Sequence, residues 1–499
     1  MNGGKSIIGF PPILYQGVGN MKKFITVFTV TLVVLLFAAI SFTGCSKEPP
    51  VFRIVMESPS NGAVVATEHH YLSSERFDEL VHIAIEQFNT AHEDVKFEIE
   101  WLPKKDEARE IRLEQLRVEI MAGKGPDIFI LPTTVQYFRE NLILDVEQAM
   151  RNGLFADLSE YYDADDKLGK ESLVSEVMDA GVVDGYRYVL PLRYNLPVAY
   201  VNEAQFEAKG LSVDLFSSGM INLMDAITAT GNPDIVTRAT NGRFGLYSFN
   251  YLSKVVDYDN GQVLISKEEL VSFLRSYPLY RTSQRGGDTY YADSLILNDY
   301  LYSNSDWVSA GFPLFISDLD ELLNHAAIAK LEKREIGMYP ICATDGSVVA
   351  DVTMYTAVSR SCENPALAYE FVRLLLLEDF QWEQYELEND GNFALTAIGW
   401  PVRVKGSVKP LYQCIKNSHL QSGLDNSSRP RGLELNDDSV PVLGVTIDRV
   451  LFPNTMEYDL WMTLAQDLVD WQTGAPKDAN LDQIADAFIK EWTWYLAEG

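Results

Sequence analysis

From residue 52 onward, apolar and polar positions follow two rhythms in turn. Phe52 to Glu57 is nearly all apolar, Arg53 aside, and predicts a buried strand. Phe77, Leu80, Ala84 and Phe88 then recur at steps of three and four, which predicts an amphipathic helix. Val95 to Trp101 alternates residue by residue, the rhythm of a half-buried strand. Leu113, Leu116 and Ile120 mark a second helix ending at Gly123, and Asp127 to Leu131 predicts a third strand after Gly125-Pro126. Strand, helix, strand, helix, strand implies a parallel α/β domain.

The middle of the chain is less regular. Phe244–Phe249 and Ile336–Tyr339 predict short strands, and 266–276 and 318–333 predict helices. Asn364-Pro365 opens a further helix through Ala368, Phe371, Val372 and Leu375, because Asn caps well and Pro is tolerated in a first turn. The last helix, from Leu481 through Ile484, Phe488, Trp492 and Tyr495, is strongly amphipathic. No internal repeat or low-complexity tract stands out.

Residues 21–45 set the expected location. Lys22 and Lys23 precede an apolar run from Phe24 to Ile40, and small residues lead to Gly44-Cys45. This is the layout of a secretory signal with a cysteine at the cut, and it is similar to the bacterial lipobox. That resemblance implies lipidation of Cys45, an acyl anchor, and a signal peptide over 1–44. Met21 is the better start, so 1–20 reads as an extension ahead of it. A single-pass transmembrane helix is the competing reading, but Gly-Cys followed by polar Ser46-Lys47-Glu48-Pro49-Pro50 favours processing.

About 455 residues remain from Cys45 onward, too many for one core, so two domains are expected. The 71 acidic against 41 basic residues leave a net charge of −30, which argues against a nucleic-acid partner. Besides Cys45 only Cys342, Cys362 and Cys414 occur; three cannot pair completely, and no spacing suggests a metal site.

Ile120-Met121-Ala122-Gly123-Lys124-Gly125-Pro126-Asp127-Ile128 resembles the "AxGxxPDI" turn of the family-1 extracellular solute-binding proteins of ABC importers. Gly185 to Pro191 followed by Tyr200-Val201-Asn202 is similar to that family's "G-x-x-Y-x-x-P … Y-N". Tyr339-Pro340, Asp345-Gly346, Thr356–Ser359 and the Asn364 helix continue the order, and the closing helix completes it. The resemblance covers most of 52–499. It implies a two-lobed periplasmic-binding-protein-like α/β fold of class II type, with ligand in the cleft between lobes. Residues 45–51 would be the tether, 51–193 plus 354–405 lobe one, and 198–350 plus 406–499 lobe two. Hinge crossings are expected near 193–198 and 350–353.

The same resemblance implies where ligand would be held. Trp461 falls where maltose-binding members stack a tryptophan on sugar, although Leu460, Leu464 and Leu468 share its helix and plain packing competes. Asn195 falls where those relatives place a ligand-binding acid at the hinge; a turn asparagine is the plainer reading. Tyr194 is a platform or a hinge core residue. Glu57 and Thr134 sit at strand carboxyl ends, where open α/β sheets bind ligands, or serve as ordinary caps. Tyr247 and Asn250 lie in the lobe-two region that carries family contacts. Trp307 and Trp400 are weaker candidates, and Asp127 reads as a residue that fixes local backbone. Leu131 stands where maltose binders have an aromatic platform, and the usual tryptophan is missing from Gly311–Leu323. Maltodextrin is therefore a poor expectation for the ligand.

Together the two resemblances imply a lipid-anchored monomeric receptor, facing outward from a Gram-positive membrane, that closes on a carbohydrate and delivers it to an ABC permease. No catalysis, cofactor or metal is expected. The chain lacks a G-x-S-x-G elbow, an H-E-x-x-H pair and a P-loop. Asp257–Glu268 departs from a calcium loop at Gln262, so a solvated loop is the better reading. A sensor, a receptor for a non-sugar ligand and a surface glycosidase remain as alternatives.

Overall fold

The computed structural model describes residues 49–57, 74–103, 106–133, 141–208, 210–230, 251–283, 314–315, 336–382, 400–403, 446–453, 468 and 477–498. The expected strand over 244–249, the helix over 318–333, Trp307, the 21–45 segment with Cys45, and Cys414 lie outside these residues.

The first third folds in the predicted order. Strand β1 (Val51–Glu57), helix α1 (Ser74–Asn89), strand β2 (Lys96–Leu102), helix α2 (Asp106–Met121) and strand β3 (Ile128–Pro132) follow one another. Leu80, Val81, Ala84 and Phe88 are the buried face of α1, at the spacing that one side of a helix requires. Strands β1 and β3 run parallel, with Ile54 opposite Ile128 and Met56 opposite Ile130. Asp127 fixes backbone as expected: its Oδ2 accepts the Arg53 N–H at 2.9 Å, and its own N–H donates to the Arg53 carbonyl at 2.8 Å.

After β3 come helices α3 (Val146–Arg151), α4 (Ser159–Ala164) and α5 (Ser175–Asp179), then a small hairpin of β4 (Val182–Val183) and β5 (Tyr186–Arg187). Strand β6 (Val189–Asn195) is followed, after Leu196 alone, by β7 (Pro197–Asn202). Helices α6 (Glu203–Ala208) and α7 (Met220–Ala229) lead to a hairpin of β8 (Val256–Asp257) and β9 (Gln262–Val263), and then to α8 (Lys267–Ser283). Strands β10 (Leu314–Phe315), β11 (Ile336–Pro340) and β12 (Val349–Val358) follow, then α9 (Pro365–Val372) and α10 (Glu378–Trp382). Strands β13 (Trp400–Pro401) and β14 (Arg449–Leu451) and helix α11 (Leu481–Glu498) close the chain.

Two sheets organise these elements. The larger runs β13-β6-β12-β3-β1-β2, with β14 added beside β12; the smaller runs β10-β7-β11. Strand β12 is antiparallel to both β3 and β6. Every residue of β12 is buried, as befits a strand with neighbours on each side. Phe88, Phe97 and Phe371 meet beside this sheet, with ring centroids 4.6–5.8 Å apart. The N-terminus of α9 is made as predicted: Asn364 Oδ1 accepts the Leu367 N–H at 3.2 Å, and Pro365 opens the first turn.

A second core lies under the smaller sheet. Phe206, Phe216, Leu223, Met224, Leu252, Phe273, Leu274, Phe488 and Trp492 belong to it. Gly219 permits a close approach here. Its φ is 95°, and a Cβ would stand 2.8 Å from the Thr344 carbonyl oxygen. With two sheets, two cores and strands passing between them, the architecture is the two-lobed α/β fold that the resemblance implies.

Candidate functional site

One edge of the larger sheet carries three of the predicted residues, Glu57, Tyr194 and Asn195. Strands β1, β3 and β6 point the same way, because β1 is parallel to β3 and both β3 and β6 are antiparallel to β12. Their carboxyl ends therefore share an edge, which carries Glu57, Thr133, Tyr194 and Asn195. Thr134 follows Thr133 directly but lies, like Trp461, Tyr247 and Asn250, outside the described residues.

Glu57 is held rather than free. Its two carboxylate oxygens accept from Nη1 and Nη2 of Arg109 on α2, each at 2.8 Å. Arg109 also donates to the Pro103 carbonyl at 2.9 Å, which anchors the guanidinium in the loop after β2. Such a fork fixes carboxylate orientation and still leaves lone pairs for a ligand hydroxyl.

Tyr194 pairs in register with Val352 on one side and Trp400 on the other, at the end of β6. Burial pushes its phenol up to about 12, with the negative charge of Glu176 adding to the effect. Asn195, the next residue, sits opposite Asp351 in β12.

The edge has members that sequence reasoning did not single out. Thr133 donates its hydroxyl to the Val352 carbonyl at 2.6 Å, and its N–H donates to the Thr353 carbonyl at 3.0 Å. Asn141 Nδ2 in turn donates to the Thr133 carbonyl at 2.5 Å. Asp351 is a buried carboxylate, and the Tyr251 phenol is driven up by burial and then by the Asp351 charge. Arg193, also buried, donates to the carbonyls of Leu192 at 2.9 Å and Gln381 at 3.4 Å, fastening β6 to α10. A lone acid inside the apolar run Val349–Val358 was the one signal that could have found Asp351.

Leu131 is buried within β3, so this position supplies core packing. The Asp257–Val263 stretch is a hairpin whose Asp257 Oδ1 accepts the Asp259 N–H at 3.0 Å. Among the described residues no group of three or more His, Cys, Asp or Glu could hold a metal, and no helix is long and apolar enough to cross a membrane.

The profile of the family described as bacterial extracellular solute-binding protein matches residues 73–382, well over half of the chain. No curated protein sequence matches. Among solved structures, a periplasmic solute binding protein from Pectobacterium atrosepticum is 16% identical, with 90% of this chain and 99% of that one covered and a TM-score of 0.48. The cyclic alpha-maltosyl-1,6-maltose binding protein from Arthrobacter globiformis is 16% identical, covering 90% and 100%, with a TM-score of 0.46. A de novo designed cysteine esterase is 14% identical, covering 91% and 99%, with a TM-score of 0.51. At such identity a likeness concerns the fold alone.

Proposed function

The chain belongs to the bacterial extracellular solute-binding proteins, and on that premise we propose that it is a lipid-anchored receptor which closes on a carbohydrate and passes it to an ABC permease. Membership of this family puts its work outside the cytoplasm. In this reading the lipid is carried by Cys45 on the extracytoplasmic face, the cargo is an oligosaccharide, and the receptor acts as a monomer. It makes and breaks no bonds.

The observation that carries the reading is the shared edge. Glu57, Tyr194 and Asn195 stand at the carboxyl ends of strands in one sheet, beside the point where the chain passes at Leu196 into the other. Carboxylate, amide and phenol groups suit the hydroxyl rim of a sugar, and an aromatic ring suits its C–H face. Trp461, Thr134, Tyr247 and Asn250 complete the proposed contact set from the sequence side. Lobe one is taken as 51–193 plus 354–405, and lobe two as 198–350 plus 406–499. Rotation at the crossings would bring the second lobe over the edge, and ligand would favour closure by its differential affinity.

The test is a thermal-shift screen against mono- and oligosaccharides, with peptides and polyamines as controls. A ligand that binds only the native state at about a hundredfold over its Kd adds roughly 2.7 kcal/mol of stability. A sugar-specific rise in Tm, lost in Trp461→Ala, supports the proposal. A rise with a peptide or polyamine alone overturns the carbohydrate assignment and keeps the receptor.

A further inference from the structure

A polar clasp joins the two cores away from the crossing strands. The segment 141–156 belongs with the larger sheet. Asn141 donates to Thr133 at the end of β3, Arg117 of α2 donates to the Asn141 carbonyl at 2.6 Å, and the Ala156 N–H donates to Val358 of β12 at 2.8 Å. Tyr258, in the turn of the β8–β9 hairpin, and Tyr495, on α11, pack instead against the second core. Both phenols donate to one atom of the first body, Asp145 Oδ2, at 2.7 and 2.9 Å.

The other groups around this point make the same connection. Asp145 Oδ1 caps α3 by accepting the Gln148 N–H at 2.9 Å, and Gln148 Oε1 accepts the Tyr495 hydroxyl at 3.2 Å. Arg151 reaches across from the end of α3 to Asp259 Oδ1 at 2.5 Å, with its guanidinium 5.7 Å from the centre of the Tyr258 ring. Asp145 itself is buried.

The chemistry of its partners makes this a contact that can open. The partners are hydroxyls, a carboxylate and an ion pair, which water solvates well once they separate, so parting them costs far less than exposing an apolar seam.

We infer that Asp145, Tyr258 and Tyr495 form a latch between the two bodies, holding them together. The latch rests on the receptor reading for its purpose and on the hydrogen bonds above for its existence. Apparent affinity for a solute scales with the fraction of molecules in the competent form, so a latch of this kind sets affinity without touching the ligand.

The experiment measures distance with no solute present, so a chain that binds no sugar still reports on the latch. Spin labels are placed at Met121→Cys on α2 and Glu491→Cys on α11, both exposed, in the full chain with Cys45 and Cys414 replaced by serine. Tyr258→Phe/Tyr495→Phe removes both donors and keeps both rings. The expected result is a second, longer distance in that variant, with the ratio of short to long populations falling roughly tenfold. Asp145→Asn, which keeps an acceptor oxygen and the helix cap, is expected to shift less. A distribution unchanged by the double substitution, or one moved to shorter distances, overturns the latch.

Discussion

Arg109 grips Glu57 with both terminal nitrogens of its guanidinium, each at 2.8 Å, and the two side chains are only 5% and 12% exposed. A charge pair so far from water is sensitive to the loss of either member. Arg109→Ala would leave the Glu57 carboxylate buried without its fork and is expected to cost about 3–5 kcal/mol. Urea denaturation midpoints measure this. A loss under about 1 kcal/mol would put the pair in the class of surface bridges.

Phe371 is fully buried between Phe88 and Phe97, with ring centroids 5.8 and 4.6 Å away. Phe371→Ala removes the aromatic link between α9, α1 and β2. The expected cost is about 3–5 kcal/mol, the usual range for emptying an aromatic site. Phe371→Leu should recover a large part of it.

Acid should weaken the β1–α2 surface through Glu119. Hydrogen bonds from Arg112 at 2.7 Å, then from Arg53 at 2.8 Å, lower its carboxyl from 4.5 to about 2. A carboxyl held low binds fewer protons folded than unfolded. Its stabilisation is therefore present above about 4.5 and is lost as pH falls toward about 2. Denaturation midpoints at pH 6 and pH 3 should differ less in Glu119→Gln than in the parent chain. An equal difference in both would assign the acid sensitivity elsewhere.

Cys362 is buried, and its thiol is pushed up to about 12 by burial first and by the neighbouring Asp127 charge as well. Almost none of it is thiolate near neutrality. Iodoacetamide at pH 8 should leave Cys362 unmodified in the folded chain and label it promptly in urea, as read by peptide mass mapping. Asp127→Asn should raise the native labelling rate.

The legibility of this chain divides by kind of residue. Leu80, Ala84 and Phe88 announce α1, and the alternation at 95–101 announces β2, because burial on one face leaves its period in the sequence. Asn364-Pro365 announces α9 through its cap. Strand β12 is harder to place. Asp351, Thr353 and Thr356 interrupt an apolar run, and nothing local says that its neighbours are β3 and β6, over 150 residues upstream. Arg109 is a different case: an arginine on a polar helix reads as solvated, and only the fold turns it inward onto Glu57. Glu57, Tyr194 and Asn195 were reached through the resemblance and through strand ends, and the shared edge that joins them is a property of topology.

Leu196 is the only residue between β6 in one sheet and β7 in the other. A connection that short has no slack. Separating the sheets by sliding would need several ångströms of spare chain, which one residue cannot supply. What it can supply is torsion about a handful of backbone bonds. The relative travel open to the two halves at this crossing is therefore an arc with a fixed centre, and a proline at position 196 would shorten that arc at the expense of the packing of the buried Leu196 side chain.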